Sequence, residues 1–184
     1  LAIAHALAQK GRKVEVLSRR RSEAAGFVAA GMLAPHAEGL QTELLQLGQW
    51  SLNRIPNWVK NIEKESGIDC GLKISGIVVP FKSTIECDSY PTASFGQKLN
   101  RNELEDEVEG IAPDWKTALL FSQDGQIDNR RQLMRALEKA CVERGVHFQE
   151  GVEVLELLHN NQKFLGVQIK NAEGKLEILK SKEA

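Results

Sequence analysis

Ala29 to Glu38 read Ala-Ala-Gly-Met-Leu-Ala-Pro-His-Ala-Glu, the stretch of this chain whose residue types point most directly at a ligand. The run is small, apolar and poor in charge, holds Gly31 and Pro35, and has neither the length nor the period of a helix or strand. Backbone stripped of bulk in this way lies close against flat groups, because side chains larger than methyl would hold a ligand off. A tight helix–strand packing loop accounts for a lone Ala-Ala-Gly, but it explains the ordered tail from Met32 to Glu38 poorly. His36 and Glu38 have the types of an acid–base pair. The plainer reading is preferred for both: His36 is a structural loop residue, and Glu38 caps the following helix or pairs locally. Asp124, Asp128, Arg130 and Arg131 read as turn and cap chemistry ahead of a helix. No catalytic residue is singled out. No metal centre is expected either, because His5, His36, His147 and His159 are scattered without helical or hairpin pairing.

Composition excludes several partners. The 184 residues carry 24 basic and 25 acidic side chains, a formal net charge of −1, spread along the chain. That gives no electrostatic case for nucleic acid or for an anionic membrane surface. Arg19-Arg20-Arg21 is the densest basic run and reads as a solvated turn after a strand. No apolar stretch approaches the ~20 residues that cross a bilayer. Cys70, Cys87 and Cys141 are odd in number, far apart and free of Cys-x-x-Cys spacing, which fits a reduced, cytoplasmic compartment.

The elements that must carry the loop follow from periodicity. Leu1, Ala4, Leu7 and Ala8 share a helical face closed by Gly11, and Val14 to Leu17 is a short buried strand. Helix, glycine, strand is the second half of a βαβ unit, which places the Ala29–Glu38 loop at the carboxyl end of a parallel sheet. Thr42 to Glu65 is mostly helical, kinked or split at Pro56, with Trp50 and Trp58 as half-buried packing residues. Cys70 to Phe81 turns to β character, residues 82 to 100 are polar and irregular, and Asn102 to Val108 is a short acidic helix. Leu119 to Phe121 is a strand, and Asp124-Gly125 is a turn. Gln132 to Arg144 is the clearest helix, with Asn129 as N-cap and Gly145 as stop. Val146 to Phe148 is then a strand expected in the same parallel sheet as Val14–Leu17. Val152–Leu158, Phe164–Ile169 and Leu176–Leu179 form a small antiparallel meander.

With its flanks, the Ala29–Glu38 loop resembles the flavin-contacting loop of the glycine oxidase family, in the D-amino-acid-oxidase-like superfamily of FAD-dependent amine oxidases. Leu1 to Ala8 followed by Lys10-Gly11 is similar to the segment after the last glycine of a Gly-x-Gly-x-x-Gly phosphate loop. That motif does not occur in the chain, so the resemblance implies a fragment lacking the phosphate loop and the C-terminal half, inactive and poorly flavinated alone. The implied fold is α/β: an FAD-binding, Rossmann-like parallel sheet with a small antiparallel meander, plus part of an antiparallel substrate domain. Residues 1–70 and 121–184 would be two parts of the FAD-binding domain, and 71–120 part of the substrate domain.

The implied activity is FAD-dependent oxidation of glycine to the imine or glyoxylate with hydrogen peroxide, serving thiazole formation in thiamine biosynthesis. Sarcosine oxidase, D-amino-acid dehydrogenase or a non-catalytic domain that keeps the fold are the alternatives. Expected partners are a small-molecule amine and thiazole synthase, separate or fused, and a homo-oligomer is left open. Residue by residue, the resemblance assigns cofactor contacts to Ser18 and Arg19 at the end of the second strand, where relatives carry a ribose-binding acid. It adds Ala25 and Gly26 near the pyrophosphate, Ala30, Gly31 and Met32 at the flavin, and Val154 at the adenine. Without the resemblance, Val154 reads as an ordinary buried strand valine.

Overall fold

The computed structural model describes residues 1–127, 129–161 and 163–181, so the cap readings of Asp128 and of the Arg130 side chain lie outside what is described. The chain divides into two compact units, Leu1–Ala29 with Met134–Ala184, and Ala30–Leu133. These limits differ from the three segments expected from sequence, which remain a proposal about the intact protein's domains. In chain order the elements begin with α1 (Ala2–Gln9), β1 (Glu15–Ser18), β2 (Met32–Leu33), α2 (Thr42–Leu52), α3 (Ile55–Ser66), β3 (Leu72–Lys73) and β4 (Ile77–Phe81). They continue with α4 (Thr84–Asp88), β5 (Gln97–Leu99), α5 (Arg101–Glu107), β6 (Thr117–Phe121) and β7 (Gly125–Ile127). Helix α6 (Arg130–Glu143) leads into β8 (His147–Glu150), β9 (Glu153–Asn160), β10 (Lys163–Lys170) and β11 (Leu176–Lys180).

In the first unit, α1 ends where Lys10 and Gly11 donate to the Leu7 and Ala8 carbonyls. Gly11 takes φ 72°, the left-handed conformation that lets the chain turn back into β1. Strand β1 then pairs with β8 in parallel, from Glu15 with His147 to Ser18 with Glu150. This is the pairing expected of the two strands. Ala4 of α1, Cys141 of α6 and Val146 form a buried cluster, with Val14, Val16 and Phe148 packed against it. The helix expected from Gln132 to Arg144 is present as α6, and Ala136, Leu137, Ala140 and Cys141 form its buried stripe, with Leu133 only partly buried. Strands β9, β10 and β11 form a separate antiparallel sheet with β10 in the middle, as the meander reading required. One of its faces stays open: Leu176 and Ile178, the register partners of Lys170 and Gln168, are exposed, whereas Ile169 on the other face is fully buried.

The second unit holds two antiparallel sheets, in the orders β2-β7-β3 and β4-β6-β5. The segment is split at Pro56, one of the two expected outcomes, and the proline sits in the first turn of α3, where its missing N–H costs nothing. Gly67, at φ 68°, closes α3. Trp50 is exposed and carries the Arg54 guanidinium over its ring at 3.8 Å, so it is less buried than expected.

Residues 82–100 are more ordered than their polarity suggested. Ser83 caps α4 by accepting the Glu86 N–H, and the Glu86 carboxylate accepts the Lys82 N–H. Strand β5 pairs with β6 from Gln97 to Leu99. A capping box between Asn100 and Glu103 then starts α5. Leu99, Leu104 and Ala118 make one small core of this unit, and Phe81, Cys87, Leu119 and Phe121 another. All three cysteines are free and buried, and desolvation pushes the Cys70 thiol up to about 11.

The meander supplies a direct check of this arrangement. Ile169→Ala removes a side chain with no exposure and is expected to cost about 2–5 kcal/mol. Ile178→Ala, at the register partner of Gln168 on the opposite face and 60% exposed, stays within about 0.5 kcal/mol. Urea unfolding of both variants tests the contrast. Equal losses would mean that the open face is covered in solution.

Candidate functional site

Two groups of residues could serve a ligand, one in each unit. In the first, β1 and β8 run in parallel and end together at Ser18 and Glu150. Ligands of open α/β sheets bind beyond the carboxyl ends of such strands. Beyond this edge the Val152 N–H donates to the Ser18 carbonyl at 3.1 Å, bringing the start of β9 beside the end of β1. Arg19 bridges the same edge through Glu23 at 3.5 Å and Glu153 at 3.9 Å. Ser18, Arg19 and the Val152–Val154 segment are therefore brought together.

Val154 pairs with Ile169 and is 44% exposed, so it is not the buried strand valine of the plainer reading. Ala25 and Gly26 lie in a single 3₁₀ turn. A Cβ on Gly26 would overlap the Met134 side chain, a flexible neighbour. Arg20 pairs with Glu23 at 3.1 Å. Arg21 pairs with Glu138 and lies over the Phe148 ring at 4.8 Å. Arg19 and Arg20 thus lie in ion pairs on a solvated turn, whereas Arg21 packs against α6 and β8.

In the second unit the Ala30–Glu38 segment is fixed at both ends. Met32 and Leu33 pair with Gln126 and Gly125, giving a two-residue strand where none was expected. Gly31 has φ 91°, and the Ile127 N–H donates to its carbonyl at 2.7 Å. A Cβ at Gly31 would overlap the Ile127 carbonyl oxygen. The close approach that demands glycine here is therefore to the chain's own backbone, so the packing reading alone accounts for Gly31. Ala30 is exposed and Met32 is 55% exposed, so both remain available to a ligand.

The tail of the segment is held by a buried carboxylate, on a residue whose backbone N–H also closes the expected turn by donating to the Phe121 carbonyl. Asp124 has no exposed surface, and its Oδ2 accepts the N–H groups of His36 at 3.2 Å and Ala37 at 2.8 Å. Its Oδ1 lies 2.6 Å from His36 Nδ1. A proton on Nδ1 pointing at Asp124 leaves Nε2 to accept from the Gln49 amide at 3.0 Å, which selects one tautomer. Thr92 donates to the His36 carbonyl and the Tyr90 hydroxyl to the Ala37 carbonyl, at 2.6 and 2.7 Å.

His36 is thus a buried structural histidine, as preferred from sequence, but with a carboxylate partner 88 residues away. Glu38 is exposed and does not cap α2, whose N-cap is Gln41. His36, Gln49, Phe95 and Gln123 line a cleft of about 590 Å³. Among the described residues no group of three His, Cys, Asp or Glu could hold a metal ion, and no helix is long and apolar enough to cross a membrane.

The donor set at the β1–β8 edge fits the nucleoside end of a dinucleotide. A serine hydroxyl and a carboxylate stand at the strand ends where Rossmann-like folds hold a ribose.

Asp124→Asn tests the anchor in the second unit. The amide cannot accept from three N–H groups through two oxygens, so one buried donor loses its partner. The expected loss is about 2–4 kcal/mol in chemical denaturation. Wild-type stability for this variant would show that the carboxylate does not hold the loop.

Comparison with known proteins bears on this arrangement. Residues 1–177 match the family described as FAD dependent oxidoreductase. The bifunctional protein ThiO/ThiG of Synechocystis sp. is 34% identical over 158 residues, covering 84% of this chain and 23% of that protein. Its counterpart in Trichormus variabilis is 30% identical over 174 residues, covering 91% of this chain and 26% of that protein. The chain thus spans about a quarter of the length of these curated relatives. Glycine oxidase from Geobacillus kaustophilus superposes with a TM-score of 0.83 at 23% identity, over 98% of this chain and 50% of that one. At that identity the likeness is one of fold. The α/β architecture, with its parallel pair and antiparallel sheets, is that of the glycine-oxidase-like fold. The chain belongs to the FAD-dependent oxidoreductase family.

Proposed function

We propose that this chain is part of an FAD-dependent amine oxidase acting on glycine, whose product feeds thiazole formation in thiamine biosynthesis. The observation that carries the reading is the 34% identity to a ThiO/ThiG protein over 84% of this chain. On this reading thiazole synthase is the functional partner, fused or separate, as the bifunctional relatives' names suggest.

FAD, when bound, supplies the hydride acceptor and the route of electrons to dioxygen. The chain's own residues then position and shield. Ser18, Arg19 and Val154 would border the nucleoside, Ala25 and Gly26 the pyrophosphate, and Ala30, Gly31 and Met32 the isoalloxazine. The Asp124–His36 pair would keep the Ala30–Glu38 backbone from shifting, which matters because a displacement near ~1 Å at a reacting centre can cost on the order of 100-fold in rate. A non-catalytic member of the family is the second reading, favoured by the absence of an acid at Ser18.

The intact protein is expected to purify with flavin absorbance and to release peroxide with glycine faster than with sarcosine or D-alanine. Flavin without glycine turnover would favour another amine, and absence of flavin would favour the non-catalytic reading. Met32 is a cleaner probe of the flavin contact than Gly31, whose glycine the fold itself requires. Met32→Ala should weaken FAD binding by roughly tenfold, from lost apolar contact, with an unchanged melting temperature. Unaltered FAD affinity in this variant would remove Met32 from the flavin site.

A further inference from the structure

The end of β1 presents a problem for a ribose. Folds of this kind commonly hold the ribose 2′-hydroxyl with an aspartate or glutamate near the end of the second strand. Here that position is Ser18, whose hydroxyl makes a weaker, uncharged bond. The next strand supplies what Ser18 lacks. Glu150 is the register partner of Ser18 at the carboxyl end of β8, and register partners on parallel strands face the same side of a sheet.

Its placement is held rather than free. Glu150 Oε1 accepts the Arg21 backbone N–H at 3.2 Å, which ties the side chain to the turn that follows β1. Oε2 has no hydrogen-bond partner among the described residues, and the residue is exposed. None of the three neighbouring guanidinium groups is paired with it: Arg19 and Arg20 are paired with Glu23, and Arg21 with Glu138. A charged acceptor therefore stands beside Ser18 with one oxygen open.

We infer that Glu150 is the carboxylate that holds the adenosine ribose of FAD, the acidic role having moved from the end of β1 to the end of its neighbour β8. Oε2 accepts the ribose 2′-hydroxyl, the Ser18 hydroxyl completes the contact, and Oε1 remains on the Arg21 N–H. A 2′-phosphate in place of the hydroxyl would meet this carboxylate and be repelled, despite the three arginines in sequence. The inference rests on the flavoprotein reading above, because it concerns the nucleoside of that cofactor.

The test uses the intact apoprotein, with FAD titrated directly and ADP, 2′-deoxy-ADP and 2′-phospho-ADP as competitors. In wild type, 2′-deoxy-ADP should bind roughly ten- to hundredfold more weakly than ADP, the range for a hydrogen bond to a charged group. The 2′-phosphate should bind no better than the deoxy compound. Glu150→Ala should bring ADP and 2′-deoxy-ADP to equal affinity. Glu150→Gln keeps an acceptor for the Arg21 N–H, so it should melt like wild type while losing most of the discrimination.

An unchanged ADP to 2′-deoxy-ADP ratio in both variants, or equal weakening of the two ligands, would overturn the inference and leave the flavoprotein reading standing. Tighter binding of 2′-phospho-ADP than of ADP would also overturn it. Failure of the wild-type protein to bind FAD would overturn both.

Discussion

Four residues of parallel pairing, Glu15–Ser18 against His147–Glu150, join parts of the chain 132 positions apart. The first unit depends on this contact. Closing so long a loop is entropically costly, though the cost grows only slowly with length, and it is offset by the cluster built on Ala4, Cys141 and Val146. Once β1 and β8 are side by side, their carboxyl ends must lie together, and β9 follows at once through the Val152 to Ser18 hydrogen bond. The candidate nucleoside edge is thus a consequence of the pairing.

The second unit is organised around a different constraint, the buried Asp124 carboxylate. A charge with no exposure is tolerated only when its oxygens are well partnered, and here three N–H groups from His36 and Ala37 converge on it. The same three bonds anchor the tail of the Ala30–Glu38 loop, while the Gly31 contact to Ile127 anchors its head. Between the two anchors Met32 and Leu33 pair with β7. A loop held in this way can present Ala30 and Met32 with little freedom of its own, which is what a flat ligand needs from its wall.

Much of the fold was legible because its signals are local. The α1 face with Gly11, the α6 stripe with Asn129, and the alternating strands of the meander each state their structure within a dozen residues. Asn129 does accept the Gln132 N–H at 3.3 Å. Residues 82–100 were misread through their polarity, although Ser83-Thr84-Ile85-Glu86 carries the Ser-x-x-Glu signature of a helix start. The anchoring role of Asp124 was not legible. Next to Gly125 it looks like a turn, and nothing nearby announces a histidine 88 residues earlier. Gly31 was recognised as special for a reason that the fold replaces, since its own neighbour Ile127 supplies the close approach. Glu150 went unnoticed because register between distant strands cannot be read from one sequence.

The central claim is that the carboxyl edge of the β1–β8 pair receives the nucleoside of FAD. A crystal structure of the intact protein with FAD bound tests it most directly. The account predicts the adenosine ribose within hydrogen-bonding distance of the Ser18–Glu150 edge. FAD bound with its ribose away from both residues would contradict it.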